Sequence, residues 1–419
     1  MKRLIASFSL TLFLGTVTAG ELQEVSPEQV GLSTQRLERI DKVMEGHVKA
    51  NRMSGGVGLI ARRGKIAYFN SWGQLDKENS KPMGKDAIFR MYSMTKAITG
   101  VAAMILLEEG HFFINDPVSK YLPEFGGLEV AVDKKDPRTG KRTYYTVPTK
   151  RDVTIQDLMR HTAGLSYGGP RDAEGKLFYR KLDVSGSKTI EEMVKRIAKA
   201  PLLHQPGTTY QYGYGTDVLA RLVEAVSGVP VNKFFAERIF KPLRMIDTDF
   251  YVPENKRDRL AVLYSPNKDK TIKRSTSPAQ DNYGKPTTLF QGGTGLLSTA
   301  MDYARFYQML ANWGELDGVR ILSRKSVELM SADHLSYIEN PTGAPGWGYG
   351  LTFAINRGPG KTGRLGSKGE YRWGGAAGTR FWIDPAEELF GVFMVNILPH
   401  SGLRYGDEFK QLTYQAIVD

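Results

Sequence analysis

Ser93 and Lys96 stand three residues apart. On a helix, positions i and i+3 share a face, so a hydroxyl and an amine at this spacing can meet. An amine beside a serine can activate its hydroxyl for nucleophilic attack. A helix beginning at Ser93 would also offer free N–H groups and a positive end to the oxyanion that such an attack creates. The same Ser-x-x-Lys pattern occurs at Ser185/Lys188 and Ser265/Lys268. The first of these lies in a Gly-Ser loop, and Pro266 disfavours helix at Ser265. Only Ser93 opens a long apolar helical period, through Val101, Ile105 and Leu106, with Gly110 as a stop. The plain alternative is that Ser93 is an ordinary helix cap.

Other chemistries find less support. The chain has no cysteine, which excludes disulfides, thiolate nucleophiles and Cys-zinc sites. Its six histidines form no H-E-x-x-H or comparable cluster, so no metal is expected, and no cofactor. His161 and His204 lack an accompanying G-x-S-x-G elbow and are assigned structural roles.

The elements that must hold Ser93 can be read from periodicity and caps. Residues 1–19 carry Lys2 and Arg3, then an apolar run and the small residues Val17-Thr18-Ala19. This pattern predicts a secretory signal peptide and a periplasmic or secreted protein. No later stretch has the apolar length of a membrane span, so no stable membrane insertion is expected. The formal charge is +12, or +10 without Lys2 and Arg3, and the basic residues are scattered. A solvated surface is the simpler reading, and no nucleic-acid partner is expected. The densest basic cluster, at Lys134, Lys135, Arg138, Lys141 and Arg142, surrounds Pro137 and Thr139-Gly140 and predicts an exposed hairpin.

Ser33 caps a predicted helix over 34–49, and residues 55–71 predict a hairpin turning at Arg63-Gly64. Short helices are predicted from Asp116-Pro117 and over 155–161, with a long loop over 166–187. Further helices are expected over 189–199, 216–226 and 230–240. Beyond about residue 285 come helices over 299–312, 323–332 and 407–417. Strands are predicted over 349–355, 380–384 and 389–396. The fold class is therefore α/β (α+β): an antiparallel sheet completed by both chain ends and flanked by helices. Residues 20–90 and 285–419 would form the sheet domain, and 91–284 a mostly helical domain.

The wider context of Ser93 carries a resemblance. Residues 89–125, FRMYSMTKAITGVAAMILLEEGHFFINDPVSKYLPEF, closely resemble the active-site helix of the serine β-lactamase and penicillin-binding-protein superfamily. The likeness is greatest to its class C-like branch, which includes family VIII carboxylesterases. His161-Thr162-Ala163-Gly164-Leu165, residues 206–212 (PGTTYQY) and residues 290–306 (FQGGTGLLSTAMDYARF) resemble further family segments in chain order. The resemblance covers about Ser26 to the C-terminus and implies a β-lactamase/transpeptidase-like fold.

The resemblance also implies roles. Its second motif, Tyr-x-Asn, falls on Tyr212-Gly213-Tyr214, making Tyr212 the general base or acid and placing Tyr214 where asparagine would hold a substrate amide. A free phenol, with a pKa of about 10, is a poor base at neutral pH, and a nearby Lys96 ammonium would favour its phenolate. The literal Tyr68-Phe69-Asn70 precedes Ser93 and reads as a strand. The third motif, Lys-Thr-Gly, occurs literally at Lys361-Thr362-Gly363, but in a glycine-rich stretch that reads as a loop. Trp373-Gly374-Gly375 falls directly before the strand pair instead, and family VIII esterases are similar in carrying tryptophan there. The backbone N–H groups of Ser93 and Ala376 would form the oxyanion hole, with Tyr92, Tyr214, Trp373, Gly374 and Gly375 bordering the substrate.

Loss of the asparagine and of the lysine argues for a neutral ester over an anionic β-lactam. The expected function is an exported serine hydrolase acting through an acyl-enzyme on Ser93, a carboxylesterase on short- to medium-chain esters. The alternatives are a class C-like β-lactamase, a D-Ala-D-Ala carboxypeptidase or acyltransferase, and, from another class, a non-catalytic envelope-binding protein. Oligomeric state is not legible.

Overall fold

Residues 55–62 are aliphatic and glycine-rich, and every one is buried, as a central strand covered on both faces requires. The computed structural model of the chain describes residues 22–140, 142–168, 178–277, 283–400 and 402–419. The predicted signal peptide and Lys141 lie outside them, as does part of the predicted loop over 166–187. The main sheet has eight strands: β1 (Gly55–Arg62), β2 (Lys65–Asp76), β3 (Lys81–Pro82), β4 (Trp347–Tyr349), β5 (Ala354–Asn356), β6 (Tyr371–Gly374), β7 (Arg380–Asp384) and β8 (Leu389–Met394). Their order is β4-β5-β6-β7-β8-β1-β2-β3, with every neighbouring pair antiparallel. β1 pairs with β8, joining the N-terminal hairpin to the C-terminal strands as expected.

Helices cover both faces. On one face lie α1 (Thr34–Lys49), capped by Ser33, and α5 (Tyr405–Tyr414), packed against Trp72, Trp382 and Phe393. The other face meets α2 (Thr95–Glu108) and α4 (Ala300–Ala311), and one apolar core continues from there to α3 (Gly215–Ser227). α2 is buried from Thr95 through Leu106, so its sequence is apolar all round rather than striped. Among the described residues, no helix is long and apolar enough to cross a membrane.

Three local expectations are corrected. The predicted strand over 349–355 is a hairpin: β4 and β5 pair through Tyr349 and Ala354, and Thr352 turns at φ +73°. Alternation at 349–355 thus came from two strand ends and their turn. Lys361-Thr362-Gly363 belongs to a one-turn helix, Pro359–Thr362, ended by left-handed Gly363. Residues 230–240 form α-helix only over Val231–Phe235 and continue as a wider π turn over Ala236–Phe240. The basic hairpin is present as Glu129–Lys135 paired with Arg142–Pro148.

Asp157 organises the approach to the site. It sits in a capping box with Thr154 and is fully buried. Its carboxylate accepts hydrogen bonds from Arg151 Nη1 (2.5 Å), Arg160 Nη2 (3.0 Å), Thr162 Oγ1 (2.8 Å) and the Thr154 N–H (3.1 Å). The loop so held accepts the Gln211 N–H on the His161 carbonyl (2.7 Å) and the Gly207 N–H on the Thr162 carbonyl (2.8 Å), fixing the segment before Tyr212. Burial pushes the Asp157 carboxyl up, but Arg151, Thr154 and Thr162 outweigh it and hold it below its ordinary value. A depressed folded pKa stabilises above the unfolded value of about 3.9 and is lost as pH falls through the folded value. Asp157→Asn should therefore cost about 3–5 kcal/mol in urea unfolding at pH 7. The gap from the parent chain should narrow below about pH 4. Equal urea midpoints at pH 7 would remove Asp157 from this role.

Candidate active site

Ser93 does not cap α2. It lies in a 3-10 turn, Tyr92–Met94, that leads into the helix at Thr95. Tyr92 enters this turn at φ +44°, a left-handed conformation that costs a non-glycine residue on the order of 1 kcal/mol or more. A 3-10 turn stacks residues i and i+3, so the expected meeting of Ser93 and Lys96 is kept.

Lys96 is fully buried, and its ammonium has three donors to satisfy. They go to the Gly293 carbonyl (2.8 Å), Tyr167 Oη (3.2 Å) and Ser93 Oγ (3.4 Å). Among the described residues, no carboxylate touches it. Asp217 lies one bond further back: its carboxylate accepts from Tyr167 Oη (3.1 Å) and the Gly293 N–H (3.0 Å). Burial pushes the Asp217 carboxyl up, and the Lys96 charge partly opposes this. Gly293 must be glycine for this closure, since a methyl there would lie 2.5 Å from Tyr167 Oη.

Tyr212 Oη and Ser93 Oγ share a hydrogen bond of 2.7 Å. The Tyr212 ring is held among others: His161 at 4.8 Å, Trp373 at 5.4 Å and Tyr167 at 5.6 Å between centroids. Lys96 Nζ sits 4.8 Å from its centre. Trp373 Nε1 donates to Tyr212 Oη at 3.3 Å. His161 is buried at φ +57°, and neither ring nitrogen has a hydrogen-bond partner among the described residues. Burial, then Lys96, holds His161 well below its ordinary pKa, so it packs as a neutral ring.

The third segment approaches Ser93 through Gly375. A methyl there would lie 2.3 Å from Thr379 Oγ1 and 2.4 Å from the Met91 carbonyl oxygen, so only glycine lets this turn reach the Ser93 turn. Gly374 ends β6 opposite Arg380, and Ala376 follows, exposed between buried Gly375 and Ala377. Among the described residues, neither the Ser93 N–H nor the Ala376 N–H has a hydrogen-bond partner. Tyr214 stacks edge-on against Tyr167 (4.6 Å) and Tyr179 (5.1 Å), and burial, then Asp217, pushes its phenol up to about 12. Tyr92 Oη is buried without a partner among the described residues.

The competing motifs stay apart. Tyr68 and Asn70 lie on β2 and both donate to Asp41. Ser185 is in a short 3-10 turn and Ser265 in a three-residue strand. A cavity of about 680 Å³ beside Leu22, Phe69 and Ile246 contains none of the reacting side chains. Tyr167 and Asp217 were not legible as site residues. The only signal was position: Tyr167 follows the His161–Leu165 segment, and Asp217 falls one helical turn beyond Tyr214.

A nucleophile-ready serine on a buried lysine, in an α/β fold with a large antiparallel sheet, defines a serine hydrolase of the β-lactamase/transpeptidase-like class. The chain belongs to the family described as Beta-lactamase, whose profile matches residues 40–415. An uncharacterised protein of Mycobacterium tuberculosis is 33% identical over 84% of this chain and 87% of its own. Esterase EstB of Burkholderia gladioli is 28% identical over 85% of this chain and 90% of its own. Among solved structures, EstCE1, titled a hydrolase with promiscuous acyltransferase activity, aligns with a TM-score of 0.75 at 27% identity, covering 91% of this chain and 99% of that one.

Asp217 is the only carboxylate in the hydrogen-bond network behind Lys96 among the described residues. Neutralising it leaves the ammonium facing uncharged oxygens alone. Asp217→Asn should lower kcat/KM and move the alkaline limb of its pH profile by about one unit toward lower pH. A profile with unchanged limbs, whatever its height, would leave Asp217 a purely structural acceptor.

Proposed function

We propose that the protein is an exported carboxylesterase that cleaves neutral esters through an acyl-enzyme on Ser93. The observation that carries this reading is the short Tyr212–Ser93 hydrogen bond with Lys96 beneath both groups. Tyr212, acting as a phenolate beside the Lys96 ammonium, takes the Ser93 proton as Oγ attacks the ester carbonyl. The Ser93 and Ala376 N–H groups receive the tetrahedral oxyanion. The proton passes from Tyr212 to the departing alkoxide as the C–O bond breaks. Water, deprotonated by Tyr212, then attacks the acyl-enzyme, and Ser93 leaves with its proton restored.

Trp373 favours esters over anionic drugs. Where a lysine would attract a carboxylate, an indole presents an apolar face and binds Tyr212 Oη. The likeness to esterase EstB and to EstCE1 supports the same choice. Export rests on the pattern of residues 1–19.

Purified protein should hydrolyse short nitrophenyl esters faster than a chromogenic cephalosporin, and mass spectrometry should find the acyl group on the Ser93 peptide. Ser93→Ala should lower ester kcat at least about 10³-fold, and Tyr212→Phe about 10²-fold or more. Full ester activity in Ser93→Ala would end this assignment. A cephalosporin turned over faster than any simple ester would assign the same site to β-lactams.

A further inference from the structure

Trp373 and Arg372 point to opposite faces of β6. Trp373 meets Tyr212, whereas Arg372 faces the side covered by α5. A cavity of about 330 Å³ opens beside it, lined by Trp347, Arg364, Arg372, Arg380 and Asp407 and also by Trp373 and Gly374. A neighbouring cavity of about 350 Å³ shares Arg364 and Asp407 and adds Arg404.

The charges in this region do not balance. Arg364 Nη1 lies 2.6 Å from Asp407 Oδ1, while Arg372 Nη1 and Arg404 Nε reach the same carboxylate only at 3.9 Å. Arg380 Nη1 donates to the Gly375 and Thr379 carbonyls, both at 3.3 Å, and meets no carboxylate among the described residues. Lys410 is already paired with buried Glu370. Three guanidiniums thus share one carboxylate, and Arg380 stands beside them on backbone carbonyls alone. The Arg372 guanidinium lies 3.6 Å from the centre of the Trp347 ring and makes no hydrogen bond among the described residues. Stacking holds the planar fork in place while its N–H groups stay unused. Burial, with Arg364 and Arg380 nearby and only Glu370 and Asp407 opposing, pushes Arg372 down to about 10.

We propose that this arginine-lined cavity binds a phosphate-type oxyanion, at a site that adjoins Trp373 and Gly374 but contains none of Ser93, Lys96 and Tyr212. A stacked, half-buried guanidinium with free donors matches the bidentate geometry of phosphate oxygens, and the bound charge offsets the excess of cations. The group can arrive as free phosphate or as a phosphate ester on a larger molecule; the cavity recognises the same oxygens in either.

The test uses the full chain at constant ionic strength, set with sodium chloride so that general screening is equal in every arm. Inorganic phosphate and glycerol phosphate are titrated by calorimetry and by thermal unfolding. Saturable binding with a rise in Tm is expected for at least one of them, and tighter binding of glycerol phosphate identifies an esterified phosphate as the source. Arg372→Gln and Arg364→Gln should each weaken binding at least tenfold, whereas Arg324→Gln, on a distant exposed pair with Glu328, should not. Arg364 is more exposed than Arg372 and carries the test if Arg372→Gln fails to fold. Binding no stronger than that of chloride, or undiminished in Arg364→Gln, overturns the proposal.

Discussion

The structure depends on one buried positive charge. Lys96 has no contact with water, and an unpaired ammonium in that position would cost several kcal/mol. Among the described residues, the cost is met without a direct ion pair. Three neutral oxygens, from Ser93, Tyr167 and Gly293, take the three donors, and the balancing carboxylate of Asp217 stands behind Tyr167 and Gly293. A carboxylate in direct contact would have neutralised the field. Held one bond away, it balances the lysine and leaves the positive charge facing Ser93 and Tyr212.

The rest of the site follows from that placement. Tyr212 must lie over the ammonium, so its ring is wedged among His161, Tyr167 and Trp373. Burial, and after it the Lys96 charge, keeps His161 neutral. The preceding segment is tied to a loop centred on Asp157, whose carboxylate gathers two arginines and two threonines. From the other side, β6 brings Trp373 to Tyr212 and ends in a turn that reaches the Met91 carbonyl because residue 375 has no side chain. The sheet thus has a chemical face at Trp373 and, one residue earlier on the strand, a cationic face at Arg372.

Much of this was legible in the residues. Local periodicity located α1, α2 and the β1–β2 hairpin, since each is long and its pattern is regular. The strand pair β7–β8 was legible for the same reason. Short elements were not. The hairpin of β4 and β5 mimicked one alternating strand because two ends and a turn fit within a few residues. The helix start was misplaced by two residues because a 3-10 turn and an α-helix share their first apolar spacing.

For the site the division is similar. Residue types alone determined that Ser93 and Lys96 could act together, because their spacing is local and a helix or a 3-10 turn satisfies it equally. Residue types also excluded cysteine chemistry. Tyr212 and Trp373 were selected by resemblance, and the structure brings Tyr212 to Ser93 and Trp373 to Tyr212, each across more than a hundred residues of chain. Only the tertiary structure decided that Tyr167, Asp217 and Gly293 close around Lys96. Their types are common, and their value lies in one buried amine that no local pattern connects to them. Burial made that difference: in water these groups would need no particular partners, and inside the core each one must find them.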